Sequence, residues 1–323
     1  MNKQFWQELP RPIIGLAPMD GYSDSAFRRI CKEVNPNIVT VTEFTSADGL
    51  HFSAEKLKRK LYFDPSEQPV IAQIFGKNVE TFVTATKVCE DMGFSGIDLN
   101  MGCPSKKVVK SEHGVALRKN PKLACQLVEA VANATDLPVS VKTRLGWSNG
   151  DDLVDFGQAV QNAGADMICI HARTYQEPYK VAPQYEQVYA LKDALNIPVI
   201  GNGGIKSLAD GERYCSLLDG FYIGQATFGN PWIFTGQKPQ RFKDRLPVIL
   251  NHAKYLIEHK GDRVGTREIR KHLLAYVKGV RGVKPFKKSL STVESYIEIE
   301  QLLQEIAEME INNVKENRTL QVA

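Results

Sequence analysis

No stretch of the 323-residue chain comes near the ~18 consecutive apolar residues that a membrane-spanning helix needs. The first residues lack a basic segment leading into an apolar one and a small-residue cleavage site, so no secretory signal is read and a cytoplasmic protein is expected. The six cysteines form no C-x-x-C pair, which excludes zinc-finger and zinc-ribbon spacing, and no metal site is expected. A chain of this length has no need of a disulfide scaffold. Low-complexity tracts and collagen-like or disordered compositions are absent. Charge of one sign is scarce too: 41 Lys and Arg against 37 Asp and Glu leave a net +4, a sum that by itself points to no partner.

What is present is a regular beat. Short apolar, β-branched runs recur at 12–19, 38–44, 70–75, 96–100, 138–144, 167–173, 198–202 and 221–224. They are continuous rather than alternating, as suits parallel strands buried on both faces. Amphipathic segments such as 78–92, 121–135, 152–163 and 184–195 lie between them. Eight strand–helix units in about 230 residues predict an α/β fold of the (β/α)8 TIM-barrel kind, with a doubly wound sheet as the competitor. From about Arg241 strand signals stop, and helical patterns follow at 246–259, 266–280 and 289–312. The expected organisation is a barrel domain over 1–240 and a small C-terminal helical-bundle domain over 241–323.

In barrels the chemistry sits at the C-terminal ends of the strands. Here those ends carry Pro18-Met19-Asp20-Gly21, Glu43, Gln73, Asn100 with Cys103, Lys142 with Arg144, His171 with Arg173, Asn202-Gly203-Gly204, and Gly224-Gln225. One such polar group is ordinarily a satisfied structural one; so many converging on one rim make a site. The glycines after the last two strands suit a phosphate, although glycine also serves tight turns. Lys142 reads as a Schiff-base nucleophile, a buried ion-pair partner, or a cation facing an electron-rich ring. His171 reads as a cofactor donor or as a core histidine. Cys31, Cys89, Cys125, Cys169 and Cys215 lie in apolar patterns and read as inert buried thiols. Cys103 instead opens a polar, basic connection, 104–120, with Ser105, Lys106, Lys107, Lys110, His113 and Gly114. That length predicts a mobile lid, and a thiol there can deliver a proton or act as a nucleophile.

The segments A-P-M-x-G (17–21), I-D-L-N-M-G-C-P-S-K-K-V (97–108), V-K-T-R-L-G-W (141–147), I-H-A-R-T (170–174), P-V-I-G-N-G-G-I (198–205) and R-K-H-L-L-A-Y-V-K-G (270–279) resemble, in order and along nearly the whole chain, the tRNA-dihydrouridine synthases. The resemblance implies a flavoenzyme in which NADPH reduces FMN and the flavin passes hydride to C6 of a tRNA uridine. By that resemblance Cys103 is the general acid at C5, and Asn100 helps position the uracil. Pro18, Met19, Asp20, Gln73, Lys142 and His171 are implied around the flavin ring, and Asn202, Gly203, Gly204, Gly224 and Gln225 at its phosphate end. The chain departs from the family pattern at Gln225, where Arg is usual, at Gly204, where Asp is usual, and at Ala172, where Gly is usual. Its 110–118 segment is also poorer in glycine.

Charge placement bears on an RNA partner independently. Nine basic residues (Arg263, Arg267, Arg270, Lys271, Lys278, Arg281, Lys284, Lys287 and Lys288) and one acid, Glu268, occupy 263–288. Tyr276 and Phe286 lie among them, a combination suited to tracking phosphates. Residues 289–323 carry two basic and seven acidic residues, which is how the near-neutral sum conceals the stripe. Candidate substrate contacts are therefore Asn100, Lys106, Lys107, Arg144, Arg173, Arg267, Arg270, Lys271 and Lys278, on a chain expected to act as a monomer. Two other chemistries remain open on the residues. One is an FMN barrel acting on a free pyrimidine such as dihydroorotate; the other is a non-redox phosphate-binding barrel, such as a Lys142 aldolase.

Overall fold

The structure, a computed structural model, describes residues 2–322, with the side chains of 54, 56 and 311–322 left aside. Eight parallel strands close into a barrel: β1 (Ile13–Leu16), β2 (Val39–Val41), β4 (Val70–Phe75), β5 (Gly96–Met101), β6 (Val139–Arg144), β7 (Met167–His171), β8 (Val199–Asn202) and β9 (Gly220–Ile223). A two-residue strand, β3 (Thr45–Ser46), extends the ladder beside β4. The run expected as one strand over 38–44 thus ends at Val41, and pairing resumes at Thr45. Closure comes from β1 pairing with both β9 and β2, and from β2 pairing with β4.

The elements follow from local chemistry. Strands β4, β5, β7, β8 and β9 are buried along nearly their full length, as helices on one face and barrel interior on the other require. The Val79–Asp91 helix starts where the Asn78 side chain accepts from the N–H groups of Glu80 and Thr81. The Pro121–Ala134 helix starts where Asn120 accepts from Leu123, with Pro121 in the first turn, where a missing N–H costs nothing. Phe5 and Trp6 join Ile13, Val39, Val41, Met167, Ile200 and Tyr222 in one buried cluster inside the barrel. Ile13, Val39 and Met167 open their strands, so this cluster lies towards the N-terminal end of the barrel, away from the polar strand ends.

Contacts divide the chain into two compact units, Met1–Asp24 with Asn37–Gly224, and Ser25–Pro36 with Gln225–Ala323. The boundary thus falls after Gly224 rather than at 240, and the Ser25–Val34 helix groups with the C-terminal helices although it lies between β1 and β2. The reason is its apolar face. Ala26 belongs to the cluster built by Trp232, Phe242, Ile249, Leu256, Leu273 and Leu303, and the Phe27 ring lies 5.4 Å from those of His252 and His272. The helical unit also contains Leu246–Lys260, Asp262–Tyr276, Phe286–Leu290 and Tyr296–Val322. The helix expected over 289–312 is therefore two helices, broken at Ser291–Ser295. No helix among the described residues is long and apolar enough to cross a membrane, and no cluster of metal-ligating side chains occurs among them.

Candidate active site

Strand register brings the site together. Gln73 pairs with Asp98 and Asp98 with Ser140; Asn100 pairs with Lys142; Arg144 pairs with His171 and His171 with Asn202. Residues two apart on a strand share a face, so Asp98 and Asn100 both reach Gln73 from β5. Gln73 is fully buried. Its Nε2 donates to Asp98 Oδ2 at 2.7 Å, and its Oε1 accepts from Asn100 Nδ2 at 2.8 Å. Ser140 donates to the other Asp98 oxygen at 2.6 Å. Burial pushes the Asp98 carboxyl up to about 6, against the lowering effects of those two hydrogen bonds and of Lys142.

Cys103 sits just past β5, half-buried, and its backbone is held on both sides. Its N–H donates to Asn100 Oδ1 at 2.9 Å, and its carbonyl accepts from Val115 N–H at 3.3 Å. Burial pushes the thiol up, and Asp20 adds to that. The N–H of Ser105 and the charges of Arg144 and Lys142 act the other way. The group is thus a protonated thiol at neutral pH, whose anion would find a donor and two cations nearby. The segment expected as a mobile lid is folded: helical turns span Lys106–Lys110 and Gly114–Lys119, and Val108, Val115, Leu117 and Arg118 are buried. Gly114 permits the packing, because a Cβ there would lie 2.9 Å from the Cys103 carbonyl and 3.1 Å from its Cβ. Arg118 anchors the segment through the Leu145 carbonyl and Asp152. Lys106 and Lys107 stand exposed on it.

The cations of the rim are fixed by the strands that carry them. Lys142 Nζ donates to Asn202 Oδ1 at 3.0 Å, and Asn202 Nδ2 to the Tyr222 carbonyl at 2.8 Å. Buried Arg144 donates to the carbonyls of Gly102 and Thr174, each at 3.0 Å, and to the Tyr179 hydroxyl at 3.3 Å. Arg173 donates to the Val181 carbonyl at 2.7 Å. His171 lies among these three cations. Burial first, then their charges, hold its imidazole well below the usual range, so the ring is neutral. Its Nδ1 is buried without a partner.

Pro18 and Met19 are half-buried beyond β1, while Asp20 is exposed and paired with Lys60 at 2.8 Å. Gly203 and Gly204 adopt φ of 101° and 75°. A Cβ on Gly203 would press on the His171 ring at 3.0 Å, and one on Gly204 would meet Pro183 at 2.6 Å. The departure from the family pattern at Gly204 thus has a packing reason in this chain. Tyr185, buried and stacked on Tyr214, donates its hydroxyl to the Gly203 carbonyl at 2.8 Å. Gly224 lies beside Met19, whose Sδ would be 3.6 Å from a Cβ there; Gln225 is exposed.

In the helical unit Arg263, Arg267, Lys278, Arg281, Lys284, Lys287 and Lys288 are exposed, and Lys271 is half-buried. Glu268, the one acid in that stretch, pairs with Lys260 at 2.6 Å. Arg270 differs: its guanidinium donates to the carbonyls of Val293 and Thr292, at 2.6 and 3.3 Å from Nη2. Of the cysteines read as inert, Cys31, Cys89, Cys169 and Cys215 are buried, whereas Cys125 is half-exposed. Asp98, Ser140 and Tyr185 were not among the expected site residues. Asp98 had a signal in the sequence, as a carboxylate two positions before Asn100 on an otherwise apolar strand.

The dihydrouridine synthase family matches this chain over residues 15–312. A probable tRNA-dihydrouridine synthase of Staphylococcus aureus (strain COL) is 33% identical, with 98% of this chain and 99% of that protein covered. Probable tRNA-dihydrouridine synthase 1 of Synechocystis is 33% identical over 89% of this chain and 84% of its own length. Among solved structures, morphinone reductase is similar with a TM-score of 0.49 and 10% identity, over 69% of this chain and 84% of that one. With a family match across most of its length and relatives 33% identical over at least 84% of either chain, this chain belongs to the dihydrouridine synthase family.

Proposed function

We propose that this protein reduces a uridine of tRNA to dihydrouridine, with FMN held at the mouth of the barrel and NADPH as electron donor. The residues fit a flavin nucleotide. Gly203 and Gly204, in left-handed conformations, leave backbone N–H groups for a phosphate. The partnerless Nδ1 of His171 is a buried polar atom that a ligand can satisfy, and Lys142 favours negative charge in a ring beside it. Pro18, Met19, Asp20, Gln73, Lys142 and His171 would hold the ring, and Asn202, Gly203, Gly204, Gly224 and Gln225 the phosphate end. When bound, FMN supplies the hydride that uracil C6 accepts.

The chain's own part is the proton. Cys103 carries one at neutral pH and gives it to C5, and the thiolate left behind is stabilised by Ser105 N–H, Arg144 and Lys142. Asn100 Nδ2 keeps one hydrogen for a uracil carbonyl. Because the target lies within a stacked RNA loop, the base has to be extruded to reach this depth. Lys106, Lys107, Arg144 and Arg173 on the barrel, and Arg267, Lys271 and Lys278 on the helical unit, are the proposed RNA contacts; Arg270, expected among them, is instead taken up by the carbonyls of Val293 and Thr292. The observation that carries this reading is the thiol itself, kept protonated beside two cations at the end of β5.

Cys103→Ala tests it. NADPH-driven flavin reduction is expected to persist, while reduction of tRNA uridine falls by about 10³-fold or more, as for loss of an acid with no substitute. Full activity of Cys103→Ala on native tRNA would remove the assignment.

A further inference from the structure

The amide of Asn100 has to face one way, and the structure shows what makes it do so. The N–H groups of Cys103 and Gly102, at 2.9 and 3.2 Å, can only donate, so the Asn100 atom meeting them is Oδ1. Nδ2 then faces Gln73 at 2.8 Å, whose near atom has to be the acceptor Oε1. That turns Gln73 Nε2 towards Asp98 Oδ2 at 2.7 Å, while Ser140 occupies the other carboxylate oxygen. Gln73, Asp98, Asn100 and Ser140 are all buried, leaving no water to replace a missing partner. A chain of amides between a backbone donor and a carboxylate acceptor has a single polarity.

We infer that Asp98 is a positioning residue: by accepting from Gln73 it fixes that amide from the far end of the chain, so that Gln73 has to accept from Asn100, and it thereby steadies Asn100 against the backbone of Cys103 with a donor left for the base. This rests on the uridine reading above. Its consequence for specificity is chemical. The hydrogens left over on Gln73 Nε2 and Asn100 Nδ2 suit carbonyl oxygens, and Asn100 Oδ1, already accepting from two backbone N–H groups, has no lone pair left for an exocyclic amino group. A pyrimidine with a carbonyl where cytosine has its amine is the ring this wall accepts.

The test is Asp98→Asn, which fits the same space but can donate or accept towards Gln73, so the amide chain is held in direction from the backbone end alone and Asn100 loses a neighbour that has to accept. Removing a carboxylate that burial disfavours is expected to leave the melting temperature at pH 8 no lower than that of the unaltered protein. Hydrogen exchange at the Gly102 and Cys103 amides of the cofactor-free protein is expected to speed at least fivefold, with the rest of the sheet unchanged. In the double variant Gln73→Glu with Asp98→Asn, residue 73 can only accept. Asn100 Nδ2 again faces a group that has to accept, and exchange is expected to return to within twofold of the original. Unchanged exchange in the single variant overturns the inference. So does a rise spread across the sheet, or a failure of the double variant to restore protection at those two amides. This readout needs neither flavin nor tRNA, so it stands apart from the Cys103→Ala assay of the uridine reading.

Discussion

The barrel and the helical unit both gather cations, and they hold them in opposite ways. On the barrel rim Arg144 and Arg173 are 3% and 5% exposed, and each guanidinium is fixed by a backbone carbonyl. In the helical unit Arg263, Arg267, Lys278, Arg281 and their neighbours stand in solvent on flexible stems. A buried cation acts on one group at one distance in a medium that screens little. An exposed one contributes to a field that ordinary salt screens within about 10 Å. Equal formal charges therefore do different work: the rim supplies geometry, and the helical unit supplies attraction that is graded and replaceable.

The hardest blow to that contrast comes from Lys142→Met. The aliphatic stem is kept while the charge and the hydrogen bond to Asn202 are lost. Uridine reduction is expected to fall about 100-fold, typical of removing one fixed electrostatic partner from a site. The factor should be the same at about 50 and about 200 mM salt, because the interaction is local. A loss that shrinks as salt rises would mean that the rim behaves as a surface.

Arg267→Glu combined with Lys278→Glu probes the other side. Affinity for tRNA at low salt is expected to drop about tenfold, and the slope of log affinity against log salt to flatten by about two. Filter binding at several salt concentrations reads both quantities. Arg270→Met separates the two kinds of cation within one helix. Its guanidinium is committed to the carbonyls of residues 292 and 293, so its loss is expected to cost about 1–2 kcal/mol of stability in urea unfolding. The salt slope should change little. If Arg270→Met instead flattens the slope as a phosphate contact would, its place in the comparison is with Arg267.

The rim was legible because strand periodicity places polar residues at predictable ends of apolar runs, and Cys103, Lys142, His171 and Asn202 need nothing more to be noticed. Asp98 was not, because its part depends on a register that sets Gln73 and Ser140 on either side of it. Arg270 read as one more surface cation because the carbonyls that take it up come from a turn 22 residues away, at a break in a helix that the pattern joined. The Ser25–Val34 helix falls inside the 1–240 span expected to be barrel. Only the partners of Ala26 and Phe27 show which core it completes. The 104–120 segment read as a lid because the connection is long, polar and basic, whereas Val108, Val115 and Leu117, too few to show a period, decide its packing.

That segment also offers the smallest effect, and one whose sign is informative. Glu112 holds φ at 61°, the left-handed region that a Cβ disfavours, and its carboxylate pairs with Lys77 on the exposed surface of the barrel. Two opposing contributions meet in one residue. Relief of backbone strain favours Gly, while loss of an exposed ion pair and the extra freedom that Gly gives the unfolded chain oppose it. If exposed charges contribute as little to stability as the contrast between the two units requires, strain wins. Glu112→Gly is then expected to raise the melting temperature by roughly 1–3 °C. Glu112→Ala loses the same ion pair but keeps the Cβ, and it should fall below the Gly variant and no higher than the original. Should both substitutions lower the melting temperature equally, the Lys77 pair is the stronger contribution, and exposed charge on the barrel would have to be reckoned with its fixed geometry.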